Sequence, residues 1–338
     1  MKQLLITSLL LLYYSAAMAS SIQVSVTPLK ADSLPDISHI IDMKAAGEKI
    51  IITYELKEGY GQRIIRDIYH DTTTNTLSFG KEYGKRDNGY YQLYMPYLID
   101  SSDGNLQVVS QDDGELFSVG ADYKLESTGR FLIGTNFNIP FPISLYLKDI
   151  QQLSTNKYIF IAREPNGGRQ SIFISDIDSM AISEIRPIIA NADYPTWMVN
   201  TGELAYSDKN GICAFAYRLY PKVDLFKPSG ETITIHTVAE GGFDPQTVDY
   251  ADMEEHNTLY FIDLTQTSDY IYALYLGKKW SDINHNAGSS KIYKFNHLGE
   301  IVCTIDIPVT LHKIAALDDG QIFAWDGKKF LLIRLGIG

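Results

Sequence analysis

The residues of this chain with chemistry to offer lie between its apolar runs. Four carboxylates, Asp193, Asp244, Asp249 and Asp282, occupy polar connecting segments. Two of them converging on one cleft would supply a general acid and base, or oxygen ligands for a cation. No spacing in the sequence shows that they converge. Arg63, Arg163, Arg169 and Lys278 fall near predicted turns and would suit an anionic ligand. Tyr90, Tyr194, Trp197, Phe243 and Trp280 lie in segments that also carry Asp or Arg. An aromatic face stacks on a sugar or peptide while polar neighbours fix its orientation. The plainer role for any one of these rings is packing between structural elements. His285 joins Trp280 and Asp282 in the longest connection, GKKWSDINHNAGSS, residues 277–290. Loops longer than the architecture requires often carry function, the alternative being a decorative one.

The common catalytic signatures are missing. The chain has no GxSxG elbow, no HExxH, no Walker loop and no GxGxxG opening a helix. SDKNG (207–211) and SQDDG (110–114) resemble calcium loops at a glance but read as hairpin turns. DINHN (282–286) has the oxygens of a calcium loop without its completing Glu. No cofactor is therefore expected, and Ca²⁺ is the one ion these oxygen-rich segments would suit.

The elements that must position these residues are strands. With 23 Tyr, 14 Phe and 3 Trp the composition suits pleated, half-buried surfaces. Only LKDIQQL (147–153) and PQTVDYADMEEH (245–256) offer any helical pattern. A turn followed by a short apolar strand recurs from Gly47, Gly104, Asn156, Gly202, Asp269 and Gly320. The spacings are 57, 52, 46, 67 and 51 residues, the length of a four-stranded propeller blade. The expected fold is all-β: a six-bladed β-propeller with four-stranded antiparallel blades. The fourth unit is read as TWMVN, ELAYSD, ICAFAYRLY and TITIHTV. The last unit, HKIAALD, QIFAWD and KFLLIRL, ends one strand short. SIQVSVTPL, residues 21–29, alternates with period two and would supply that strand, closing the ring. A β-sandwich is the competing architecture.

Residues 1–19 read as a secretory signal peptide: a basic start, an apolar core, and Ala17-Met18-Ala19 before the cleavage point. Residues 20–338 would then form a single propeller domain, exported to the periplasm or beyond, without a lipid anchor or a membrane span. A formal net charge of −12 excludes nucleic acid and anionic lipid as general partners. Cys213 and Cys303 have no metal-type spacing, and the expectation is two unbonded thiols.

YIYALYLGKK (270–279), SSKIYKFNHLGEIVCTIDI (289–307) and IAALDDGQIFAWD (314–326) resemble six-bladed propellers of the TolB-like, NHL-like kind. In particular, they resemble those exported by Bacteroides-type bacteria. The resemblance implies a fold and a compartment. In such a ring the b–c loops and the blade-to-blade connections share one face, where ligands usually bind. Here those connections include GKRDNGYYQ (84–92), NFNIPFPIS (136–144), ANADYPTW (190–197) and EGGFDPQT (240–247). The expected function is binding or assembly without catalysis, with a protein or glycan of the cell envelope as partner. The competing reading is a propeller lactonase, lyase or glycosidase using channel carboxylates or a metal.

Overall fold

Runs such as Ile159-Phe160-Ile161-Ala162, all fully buried, can satisfy their backbone only as strands covered on both faces. The computed structural model describes residues 22–337 except 32–34, 47–48, 59–61, 94, 100–105, 111–113, 121, 131–146, 164–167, 180, 191, 194–195, 239–247, 250 and 286–287. Six antiparallel blades follow in chain order. Strands a to d are Ile37–Ala46, Lys49–Leu56, Arg63–Asp71 and Thr76–Glu82 in blade 1. Blade 2 has Pro96–Ile99, Gln107–Ser110, Glu115–Val119 and Leu125–Arg130. Blade 3 has Lys148–Ser154, Lys157–Arg163, Gln170–Asp176 and Ala181–Pro187. Blade 4 has Gly202–Ser207, Ile212–Tyr217, Lys222–Phe226 and Thr232–Thr237. Blade 5 has Thr258–Gln266, Ile271–Lys279, Ser290–Phe295 and Ile301–Ile307. Blade 6 has Lys313–Ala316, Ile322–Trp325 and Phe330–Ile337, and its fourth strand is Ile22–Pro28.

Each a strand packs against the a strands of both neighbouring blades, so the six a strands form a closed inner ring. Six apolar clusters fill the six blade interfaces. One joins Ile51 and Ile65 of blade 1 to Val108 and Phe117 of blade 2, and another joins Ile52 of blade 1 to Phe323 and Trp325 of blade 6. The d strands sit outermost, and that of blade 4 is partly exposed along its whole length. Tight turns carry the chain between strands. Gly299 has φ +78° and lies so close to blade 4 that a Cβ there would meet Thr234 Cγ2 at 2.6 Å.

The closing strand forms as expected, pairing Ile22 with Ile337 through to Pro28 with Leu331. It does more than the sequence pattern implied. Lys30–Ala31 continues onto the outer strand of blade 1, so one segment fastens blade 6 to blade 1. Cys213 is buried, Cys303 is half-buried, and neither is bonded.

Two expectations need correction. TWMVN is a turn, because buried Asn200 accepts the Ala190 N–H at 2.7 Å and donates to the Thr196 carbonyl at 2.8 Å. ELAYS is therefore the a strand of blade 4, not its b strand, and KVDLF is a strand the sequence reading missed. Counted from Gly211, the turn residue that precedes the true b strand, the uneven spacings of 46 and 67 become 55 and 58. LKDIQQL, despite its helical pattern, is the a strand that the blade reading of the third unit expects in DIQQLS. Among the described residues of PQTVDYADMEEH only Met253–His256 is helical, a single turn capped by Asp252. The proposed leader, residues 1–19, lies outside the described residues.

Candidate ligand channel

The a strands run from the face of the blade-to-blade connections to the face of the a–b turns. Their side chains line two chambers. The upper one, about 360 Å³, is framed by the beginnings of the strands. The lower one, about 730 Å³, is framed by their ends and the a–b turns. Lys44 and Gln151 line both, so the chambers adjoin there.

A pattern repeats in blades 1, 3 and 5. The a strands carry Asp42-Met43-Lys44, Asp149-Ile150-Gln151 and Asp263-Leu264-Thr265. In each, the ladder register shifts beside the aspartate: between Ile40 and Asp42, Lys148 and Gln151, and Phe261 and Asp263. A bulge re-aims the side chain next to it. All three aspartates line the upper chamber. Asp149 sits at φ +50°, a left-handed conformation that costs a non-glycine residue energy.

These carboxylates are interlocked with cations. Lys148 Nζ donates to Glu203 Oε1 at 2.9 Å and to the Gly202 carbonyl at 2.6 Å. Arg218 Nη2 donates to the same Glu203 oxygen at 2.7 Å, and Lys313 Nζ to Asp263 Oδ1 at 3.0 Å. Asp149 Oδ2 accepts the Leu204 N–H at 3.0 Å, and Asp263 Oδ2 the Ile314 N–H at 2.7 Å. Each thus fastens its inner strand to the next blade. Burial pushes the Asp149 carboxyl up to about 7, with Lys148 opposing and Glu203 adding to the rise. Burial likewise pushes Asp263 up to about 6, against the pull of Lys313. Burial would raise Glu203 too, but Lys148, Lys313 and Arg218 outweigh it and hold the group well below the usual carboxylate range.

The Asp149 shift predicts a pH signature. A carboxyl raised in the folded state stabilises most below its unfolded value and loses that contribution as pH rises through its folded value. From pH 4 to pH 7 Asp149 should therefore weaken the fold progressively. Asp149→Asn keeps an oxygen for the Leu204 N–H but carries no charge. The variant's stability relative to wild type should improve by about 2–3 kcal/mol between pH 5 and pH 8, read from urea unfolding. A difference that stays flat across that range would show that Asp149 does not titrate there.

Of the described residues singled out from the sequence, only Arg63 lines one of these two chambers. Tyr90 is 73% exposed on a turn outside the channel. Arg169 pairs with Glu184 of its own blade at 3.2 Å. Asp193 lies on an exposed turn, and the half-buried Trp197 donates its backbone N–H to Gly168. Trp280 packs against the apolar cluster of blades 3 and 4, and Asp282 is exposed on the 3₁₀ turn Trp280–His285. Lys278 donates to Thr310 at 2.7 Å. Asp249 is held below the usual range by the N–H groups of Asp252 and Ala251 and by His256, a local turn cap. Tyr194, Phe243 and Asp244 lie outside the described residues, as do the side chains of Arg163 and His285. Among the described residues no group of three or more His, Cys, Asp or Glu is placed to hold a metal ion. SDKNG forms the expected hairpin turn, and the ends of SQDDG close another through the Gly114 N–H to Ser110.

The sequence reading missed Lys148, Asp149, Glu203, Asp263, Lys313 and Arg218. Their signal was present: five of the six are charges inside strands that must face the ring axis. The misassigned blade 4 hid Glu203 by placing it on a b strand.

No family model matches the chain, and no curated protein matches it in sequence. Solved structures match in fold. A putative exported protein from Bacteroides fragilis is 10% identical, with 94% of this chain and 96% of that one covered and a TM-score of 0.55. An auxiliary nutrient binding protein from Bacteroides thetaiotaomicron is 10% identical, with 93% and 77% covered and a TM-score of 0.53. A gluconolactonase from Xanthomonas campestris is 10% identical, with 95% and 93% covered and a TM-score of 0.51. The six-bladed propeller of this chain is thus similar in fold to these proteins. No helix among the described residues is long and apolar enough to cross a membrane.

Proposed function

We propose that this chain is an exported, non-catalytic binding propeller that takes a glycan in its lower chamber. The observation that carries the reading is the chamber's lining. Gln151, Gln152, Gln266 and Gln321 supply amides, Thr72, Ser268 and Thr265 supply hydroxyls, and Asp208 and Asp318 supply carboxylates. Tyr206 and Phe323 supply apolar ring surface. A volume of about 730 Å³ lies within the usual range for small-ligand sites. His70 also lines it, and its Nε2 is buried with no hydrogen-bond partner among the described residues. Burial lowers the His70 pKa, so the ring is neutral at pH 7 and can donate to or accept from a sugar hydroxyl. The auxiliary nutrient binding protein of Bacteroides thetaiotaomicron has a similar fold, and nutrient binding agrees with this reading.

Thermal unfolding of the protein against a panel of neutral oligosaccharides tests the idea. A binder at about a hundred times its Kd adds ~2.7 kcal/mol to stability. Thr72 is exposed at the chamber rim, so Thr72→Trp should block entry and abolish the ligand-induced shift without moving the unliganded midpoint. If no saccharide raises the wild-type midpoint, or Thr72→Trp responds as wild type does, the assignment fails.

A second reading rests on one observation. Asp149 and Glu203 face the same chamber with their pKa values pushed in opposite directions, as in acid–base pairs. Hydrolysis or lyase chemistry would then need Asp149 as the acid. Binding remains the better account, because one oxygen of each group is already committed, Asp149 Oδ2 to the Leu204 N–H and Glu203 Oε1 to Lys148 and Arg218.

A further inference from the structure

The upper chamber differs from the lower one in kind. It is lined by five cations, Lys44, Arg63, Lys148, Arg218 and Lys313, and four carboxylates, Asp42, Asp149, Glu203 and Asp263. Most of these charges are matched at short range by the pairs already described. Two are loosely held. Arg63 reaches Glu55 only at 3.4 Å and lies over the Tyr97 ring at 4.4 Å. Its Nη1 is buried with no hydrogen-bond partner among the described residues, although the side chain is only 11% exposed. Asp42 accepts the neighbouring Met43 N–H, and its nearest cation, Lys44, stands off at 3.7 Å.

A buried guanidinium nitrogen without an acceptor is costly, and a carboxylate fills a guanidinium edge better than any neutral oxygen. The four carboxylates would repel a dianion, and the five cations would repel a dication. A ligand with one charge of each sign meets neither penalty. We propose that the upper chamber is a second site, independent of the glycan site, that holds a small zwitterion of the amino-acid class. Its carboxylate lies on Arg63 and its ammonium on Asp42. About 360 Å³ accommodates such a molecule, and Tyr97 offers a flat wall beside the carboxylate anchor.

Titration calorimetry of the protein with free α-amino acids of neutral side chain is the test, run beside their N-acetyl and carboxamide forms. Free amino acids should bind, and blocking either end should weaken binding about tenfold to a hundredfold, the worth of one charged hydrogen bond. Arg63→Lys keeps the charge but loses the planar fork, and should weaken binding by a similar factor. Thr72→Trp, at the far mouth, should leave amino-acid binding unchanged. The proposal is overturned if no amino acid binds with a Kd below ~1 mM, a free energy of about −4 kcal/mol. Blocked forms that bind as well as free ones would overturn it too, and this arm needs no variant to fold. Loss of binding in Thr72→Trp would place the ligand in the lower chamber and equally reject the assignment.

Discussion

A protein lacking residues 20–29 is expected to lose its cooperative thermal transition. The deleted segment contains the whole fourth strand of blade 6, Ile22–Pro28, paired residue for residue with Leu331–Ile337. Val24 and Val26 pack into the blade 5–6 cluster, and Leu29, 6% exposed, belongs to the blade 6–1 cluster. Burying side chains of this size is worth about 1.5–3 kcal/mol each, and the two valines, being half-buried, sit at the low end. The apolar loss alone is then roughly 4–6 kcal/mol, comparable with the 5–15 kcal/mol that stabilises an ordinary domain. The deletion also bares the ladder edge of Phe330–Ile337 and cuts the Lys30–Ala31 link to blade 1. A synthetic peptide of residues 20–31 supplied in trans should pair with the bared edge and restore a single transition, as strand addition does elsewhere. A truncated protein that melts within about 2 °C of the full chain, a shift worth less than ~1 kcal/mol, would show that the seam contributes little.

This closure was legible in the sequence because two independent signals agreed: a final unit one strand short, and a period-two strand at the opposite end. Blade rhythm was legible for a similar reason. Turn residues and apolar strands repeat locally, and each blade is built from neighbours in the chain. Blade 4 shows where that logic breaks. Trp197 and Val199 alternate like strand residues, yet the side-chain bonds of Asn200 hold the segment as a turn. One misplaced strand then moved ELAYS and ICAFAY one place each and left KVDLF unread, while TITIHTV kept its place as the d strand.

The site was less legible, because attention went to the connections. Loops displayed the obvious chemistry, Trp280 with Asp282 and Tyr90 with its charged neighbours. The structure spends Trp280 on packing and leaves Tyr90 at the surface. The channel charges come from positions that read as ordinary strand residues, such as the Lys-Asp of KDIQQLS or the Asp of TLYFIDLTQ. What makes them special is tertiary: a bulge turns each aspartate to the axis, and only the closed ring brings blades 3, 4, 5 and 6 together. Strand periodicity cannot show a bulge, and local sequence cannot show which charges will meet across a ring. A charged residue in a strand that must line the axis is the usable clue, and it requires the blade register to be right first.

Glu203 is where that register matters most, and its removal should carry the largest cost of any single substitution in the channel. Glu203 is 5% exposed, and one oxygen receives both Lys148 and Arg218. Lys313 adds a third positive charge to its surroundings. Glu203→Ala would leave these cations in a confined space without their shared anion. Breaking a buried ion pair from one side costs about 3–5 kcal/mol, because the remaining charge stays desolvated. Glu203→Gln keeps a hydrogen-bond acceptor without the charge and should cost less, about 1.5–3 kcal/mol. Adding Lys148→Met to Glu203→Ala should recover part of the loss, since the stranded charge leaves with its partner. Because the Glu203 pKa is depressed, its contribution is present above the ordinary carboxylate range and fades as pH falls below it. The Ala variant should therefore lag wild type most at neutral pH and least in acid. Urea midpoints at pH 7 and pH 3.5 measure both effects. A pH 7 loss under about 1 kcal/mol would mean that water already screens these charges. The upper chamber would then be too wet for the loosely held Arg63 to demand a ligand.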